Sequence, residues 1–258
     1  MSNRERNATT DQPKQAFRTT PWTDILDVRS HDESRRNVAL GDLLGRYWKP
    51  VYCYLRCKGY ERETAKDLTQ GFLHEIVLTR GLIQRADRAK GRFRTFLLKA
   101  LREYVVSVHR AETAKQRMPE GGLIRLEGIG ELTVPELIHC TSPREAFDYA
   151  WASALLDQVL TEVAGECRET GIGIHWDVFQ ARVVRPIMDN AKPSPLAGLC
   201  AKYCISSEAK ASNMVVTVKR RFHAILRRHV RQLVQSDEEV HEEIRDLMRI
   251  FSKGGAGS

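Results

Sequence analysis

Apolar residues recur along this chain at spacings of three and four, so the elements they predict are helices. In "RETAKDLTQGFLHEIV", residues 62–77, the stripe is Ala65, Leu68, Phe72 and Ile76. The opposite face carries Thr64, Lys66, Asp67, Gln70, Gly71 and His74. That face is weakly charged, and its mid-helix glycine costs about 1 kcal/mol against alanine. Upstream, the period runs through Leu40, Leu43, Leu44, Tyr47, Val51, Tyr54 and Leu55. Pro50 interrupts it, and a kink or a new helix start is expected there. Pro21 is placed to open a helix in "FRTTPWTDILDV". Downstream, Phe93, Phe96, Leu97, Ala100, Leu101, Tyr104, Val105 and Val108 form another stripe.

From about 112 to 144 the period dissolves. "KQRMPEGGLIRLEGIGELTVPELIHCTSPRE" reads as a linker, with one short strand near Leu123–Leu126. Helical order returns at Phe147, Trp151, Leu155, Leu156, Val159 and Val163, and again from His175 to Met188, until "DNAKPSPLAG" breaks it. The expected fold is therefore all-α, two helical domains joined by an extended linker. A disordered tail covers 1–16, the first domain 17–112, the linker 113–144, the second domain 145–235, and an acidic helix with its tail 236–258.

The segment 196–230, "LAGLCAKYCISSEAKASNMVVTVKRRFHAILRRHV", has the pattern of a helix-turn-helix. A short helix (Leu196, Leu199, Cys200, Tyr203) meets a turn at 204–206, where Cys204 stands at a position often held by glycine. Ser206 or Ser207 can cap the second helix. That helix buries Val215, Val218, Phe222, Ile225 and Leu226, and its other faces carry Lys210, Ser212, Asn213, Thr217, Arg220 and Arg221. From Ala209 to Arg231 it holds seven Lys or Arg and no acid. Small polar residues followed by arginines suit a major groove, with Asn213 set to pair with adenine and the cations to reach phosphate or guanine. The competing reading is a solvated basic helix in a bundle.

Composition sharpens this picture in one respect. Net charge is +8 and the pI about 9.3, which favours a polyanionic partner. Residues 85–117 hold ten Lys or Arg against three acids, and arginines alternate with aromatics in "GRFRTFLLKALREYV". Such interleaving suits single-stranded DNA, although the stripe places most of those aromatics in the core. The terminal "SDEEVHEEIRDLMRIF" is acidic and amphipathic, with Ser236 as its cap and Val240, Ile244, Leu247 and Ile250 or Phe251 as its seam. It is expected to pack on the second domain, with partner binding as the alternative.

Other chemistry is thin. Six cysteines include two pairs with Cys-x₃-Cys spacing, Cys53 with Cys57 and Cys200 with Cys204. A zinc or redox site is weighed against buried cysteines acting as small hydrophobes, and the latter is preferred. His74, His109, His175, His223, His229 and His241 are scattered, with no HExxH and no Gly-rich phosphate loop. No enzyme activity, cofactor or metal is expected. The start "MSNRERNATTDQPKQ" lacks a signal peptide's apolar core, and no apolar run is long enough to span a bilayer, so a cytoplasmic protein away from membranes is expected.

Three segments in this order, "YWKPVYCYLRCKGYERETAKDLTQGF", "KGRFRTFLLKALREYV" and the helix-turn-helix, resemble the extracytoplasmic-function (ECF) sigma factors of bacterial RNA polymerase. "FRTTPWTDIL", "DLTQGF", "GRFRTFLL" and "SNMVVTVKRRF" look like the branch associated with Ser/Thr protein kinases. The resemblance covers roughly residues 17–250. It departs from the family in the second domain, where the turn and recognition helix are slightly longer. It implies that the first domain binds the β′ clamp of core polymerase through Asp67, Gln70 and Thr64. The same domain would open the minus-ten element with Arg92, Arg94, Lys99, Arg102 and Arg110. The second domain would read the minus-thirty-five element through Lys210, Ser212, Asn213, Thr217, Arg220 and Arg221, and the β flap is a further expected contact. Relatives carry acids where this chain has Thr64, Lys66 and Gly71. The kinase association makes Thr64 the candidate phosphorylation site, with Thr69 second. The rival reading is a helix-turn-helix regulator that binds DNA without core polymerase.

Overall fold

The computed structural model describes residues 22–75, 81–87, 90–115, 142–188, 191–234 and 236–254. All its regular elements are helical, and no strand occurs among the described residues. α1 (Trp22–Val28) begins directly after Pro21, which lies outside them. α2 (Glu33–Cys57) is capped by Asp32, whose carboxylate accepts from the amides of Ser34 at 3.0 Å and Arg35 at 3.3 Å. Such a cap is worth about 1 kcal/mol.

Pro50 does not start a new helix. It lies inside α2, among Tyr47, Trp48, Val51, Tyr52, Cys53, Tyr54 and Leu55, all buried. A proline forfeits one backbone hydrogen bond and crowds the preceding turn. Packing on nearly every side of this stretch offsets that loss and holds the helix through it.

Gly59, at φ 101°, turns the chain out of α2. α3 (Arg62–Phe72) then buries Ala65, Leu68 and Phe72 as the stripe requires. It continues as one π turn to residue 75, and Ile76 falls outside the described residues. α4 (Leu82–Arg85) has no counterpart in the sequence reading. Arg29, just past α1, donates to the carbonyls of Ile83, at 2.6 Å, and Ala86. α5 (Phe93–Lys115) buries Phe93, Leu97, Ala100, Leu101, Tyr104 and Val105, and half-buries Phe96 and Val108. It runs through 113–115, positions the sequence reading gave to the linker. The rest of the expected linker to 141, with its short strand, lies outside the described residues.

α6 (Pro143–Glu169) opens on Ser142, whose hydroxyl accepts from the Glu145 amide at 3.2 Å, with proline in the first turn. α7 (Gly173–Phe179) passes through a π turn, Gln180–Val184, into α8 (Arg185–Met188). α9 (Leu196–Tyr203), α10 (Glu208–Leu233) and α11 (Asp237–Gly254) complete the chain.

α2 lies along α6, and Tyr47 stacks on Phe147 with ring centroids 6.3 Å apart. One apolar cluster includes Leu55, Phe72, Leu101, Phe147, Val163, Val218 and Leu247, so helices on both sides of residues 116–141 share a core. A smaller cluster of Val178, Leu199, Ile205, Ala211 and Met214 sits under the α9–α10 corner.

Candidate nucleic-acid and polymerase interface

Residues 204–207 form the turn between α9 and α10. Cys204 adopts the left-handed conformation at φ 52°, ending α9, and the Ile205 amide returns to the Cys200 carbonyl at 2.9 Å. It is the non-glycine residue with positive φ among the described residues. Ser207 caps α10, accepting from the Lys210 amide at 3.2 Å. The deepest row of α10 is Ala211, Met214, Val218, Ile225 and Val230. Val215, Phe222 and Leu226, expected inside, are half-buried.

The basic residues of α10 divide into two groups. One group seats the helix on α6. Arg228 pairs with Glu162 and lies 3.7 Å from Glu166, while the His229 ring meets Glu162 at 2.6 Å. Arg221 donates to the Thr170 hydroxyl at 3.0 Å, which turns it inward. The other group faces outward: Lys210, Ser212, Asn213 and Arg220 are exposed. Thr217 is half-buried and donates its hydroxyl to the Asn213 carbonyl at 2.9 Å. Lys219 and Arg227 are exposed too and were missed by the sequence reading. Helical spacing could have found Arg227, since Lys210, Asn213, Thr217, Arg220 and Arg227 fall on one face. Near this end, burial first and then Arg221 and Lys210 push the His175 pKa down.

The residues expected to contact the minus-ten element do not form one surface. Lys99, Arg102 and Arg110 are exposed along α5. Lys99 and the half-buried Arg92 line a groove of about 1000 Å³ together with Arg85, Lys90, Phe96 and Tyr104. Arg94 is buried, with its guanidinium 4.2 Å above the Trp151 ring. Both Arg92 and Arg94 are engaged by α11. Glu243, fully buried, pairs with Arg94 and lies 2.8 Å from the Arg92 Nε, and Asp246 accepts from Arg92 Nη1 at 2.8 Å.

This network sets the local charge states. Burial disfavours the Arg92 cation, but the hydrogen bond to Asp246 and the carboxylates of Glu243, Asp246 and Glu239 outweigh it, so its pKa lies above the ordinary value. The Arg92 hydrogen bond, with Arg249 and Arg94 nearby, holds Asp246 below the usual aspartate value. Removing one partner of a buried pair leaves the other uncompensated, at about 3–5 kcal/mol. The sequence did carry a trace of this contact: Glu243 falls on the apolar seam of α11, three residues after Val240 and four before Leu247.

On α3, Thr64 and Asp67 are exposed and Gln70 is half-buried. Lys66 pairs with Glu63 at 2.9 Å, and that hydrogen bond lowers the Glu63 pKa. Thr69 is fully buried and donates to the Ala65 carbonyl at 2.7 Å, so its hydroxyl is closed to a kinase. Gly71 does not belong to an outward docking face. A Cβ there would lie 2.5 Å from the Tyr104 hydroxyl oxygen, so the glycine lets α5 approach.

Of the described cysteines, Cys53 and Cys167 are buried as small hydrophobes, Cys57 and Cys200 are half-buried, and Cys204 is exposed, contrary to expectation. Cys140 lies outside the described residues. Among the described residues no three His, Cys, Asp or Glu are grouped to hold a metal ion, and no helix is long and apolar enough to cross a membrane. Comparison with protein-family models, curated proteins and solved structures finds no match for this chain.

Proposed function

We propose that this protein is an ECF-type sigma factor, which binds core RNA polymerase and directs it to promoters. The observation that carries the DNA-binding part is α10, seated on α6 by Arg228 and His229 while Lys210, Ser212, Asn213, Lys219 and Arg220 face outward. The polymerase part rests on the family-like segments 47–72 and 90–105 and on the exposed Asp67 of α3. In this reading the helices before and after residues 116–141 act on different promoter elements.

Thr64 is the modification site of this reading. It is exposed in the first turn of α3, where a phosphate would add about −1.5 to −2 charges, favourable to the helix dipole. That charge would stand in for acids that relatives carry and this chain lacks.

The test is transcription reconstituted with core polymerase. A promoter-directed transcript is expected only with both components, and Asp67→Lys should weaken core capture. Asn213→Ala should lose about 1–3 kcal/mol at one upstream base pair. Thr64→Ala should bind core poorly even with kinase present, and strong kinase-independent binding by it removes the switch. The second reading, a DNA-binding regulator acting alone, is favoured by the core shared between both halves. Tight duplex binding with no capture of core polymerase would select it.

A further inference from the structure

We propose that α11 is an intramolecular mask: its carboxylates occupy Arg92 and Arg94 in place of nucleic-acid phosphate, and DNA must displace it. The inference rests on the reading that these arginines contact DNA.

Three observations converge on it. The α5 groove, lined by Lys90, Arg92, Lys99 and the half-buried ring of Phe96, with Asp87 and Glu103 also on its walls, offers cations to the phosphates of a single strand and one ring to a base. At Arg92 that groove meets the carboxylates of Glu243 and Asp246, both at 2.8 Å. Acceptor oxygens on a guanidinium are the same chemistry whether they come from carboxylate or phosphate. Finally, Arg94 lies between Glu243 and the face of Trp151, so lifting α11 frees a second cation beside an aromatic ring.

α11 is also held by apolar contacts, with Ile244, Ile250 and Phe251 half-buried on the core. Val240 and Leu247 are its buried apolar anchors, and Phe251 meets Tyr149 edge-on at 5.8 Å. Met248 remains 59% exposed. Arg249 is turned back onto Asp246 at 3.0 Å. The ionic contacts at Arg92 and Arg94 are the ones a polyanion competes for.

The test uses full-length protein and a labelled single-stranded oligonucleotide of mixed sequence. Glu243→Gln/Asp246→Asn removes two acids that touch the arginines. Glu238→Gln/Glu242→Gln removes two exposed acids that do not, at the same net charge. The first variant should bind about tenfold more tightly than wild type, with a salt slope steeper by about 1.4 for two added phosphate contacts. The second should stay at the wild-type value. Equal affinities for the two variants overturn the mask, because net charge alone would then account for any change.

Should the first variant unfold by circular dichroism, wild type supplies the readout. Its residues 237–254 should lose hydrogen-exchange protection when oligonucleotide saturates it, and unchanged protection overturns the mask. Transcription with core polymerase separates this result from the parent reading. A variant that gains oligonucleotide affinity but gives no polymerase-dependent transcript keeps the mask and removes the sigma reading. Unchanged oligonucleotide affinity with normal transcription does the reverse.

Discussion

Two single residues show how local geometry overrides what their type implies. Gly71 should weaken α3 by about 1 kcal/mol relative to alanine, yet a Cβ there would press on Tyr104, itself buried and 5.5 Å from the Phe72 ring. Overpacking of that kind costs about 1–3 kcal/mol. Gly71→Ala is therefore expected to lower stability in wild type but raise it by about 1 kcal/mol in a Tyr104→Phe background. Chemical denaturation of the four proteins measures the sign change, and the same sign in both backgrounds would show that Tyr104 is not the constraint. Cys204 is the mirror case. A left-handed conformation costs a non-glycine residue about 1–2 kcal/mol, against about 0.5–1 for the extra freedom of an unfolded glycine. Cys204→Gly should then stabilise the corner by about 0.5–1 kcal/mol, and a lowered melting temperature would mean that the thiol holds the turn.

At the scale of elements, the apolar stripes of α3, α5, α6 and α11 were legible because each follows from a 3.6-residue period. Ala65, Leu68 and Phe72, or Phe147, Trp151, Leu155 and Val159, reach the core as their spacing demands. Pro50 was not legible, since the packing that carries α2 through it comes from distant chain. The turn at Cys204 and the Ser207 cap of α10 were readable locally, but the contact of Arg221 with α6 depends on Thr170, which local sequence does not expose. The seat of α11 has a definite pH dependence. The Asp246 pKa is depressed in the folded protein, so its contribution is complete above the unfolded value of about 4 and is lost as pH falls through the lower folded value. Hydrogen exchange in 237–254 should therefore be insensitive to pH between 6 and 8, after allowance for intrinsic rates, and protection should fall only in acid. Asp246→Asn should diminish that acid limb, Glu243 remaining on both arginines, and a protection loss near neutral pH would assign the contact to another group.

Across the whole molecule, the split of the candidate minus-ten residues was the least legible feature. Arg94 and Glu243 each lie on an apolar stripe where a charge looks misplaced, and only their pairing explains both. Their separation of 149 residues also orders events in time. A ribosome adds about 5–20 residues per second, so roughly 7–30 s pass between synthesis of the arginine and of its carboxylate. During that interval the nascent amino-terminal half carries Arg92 and Arg94 without α11, and birth order gives a partner first access. More complex should form when the single-stranded oligonucleotide is present during cell-free translation than when it is added to finished protein. Equal yields would mean that the newly made chain opens as readily after release as before α11 exists.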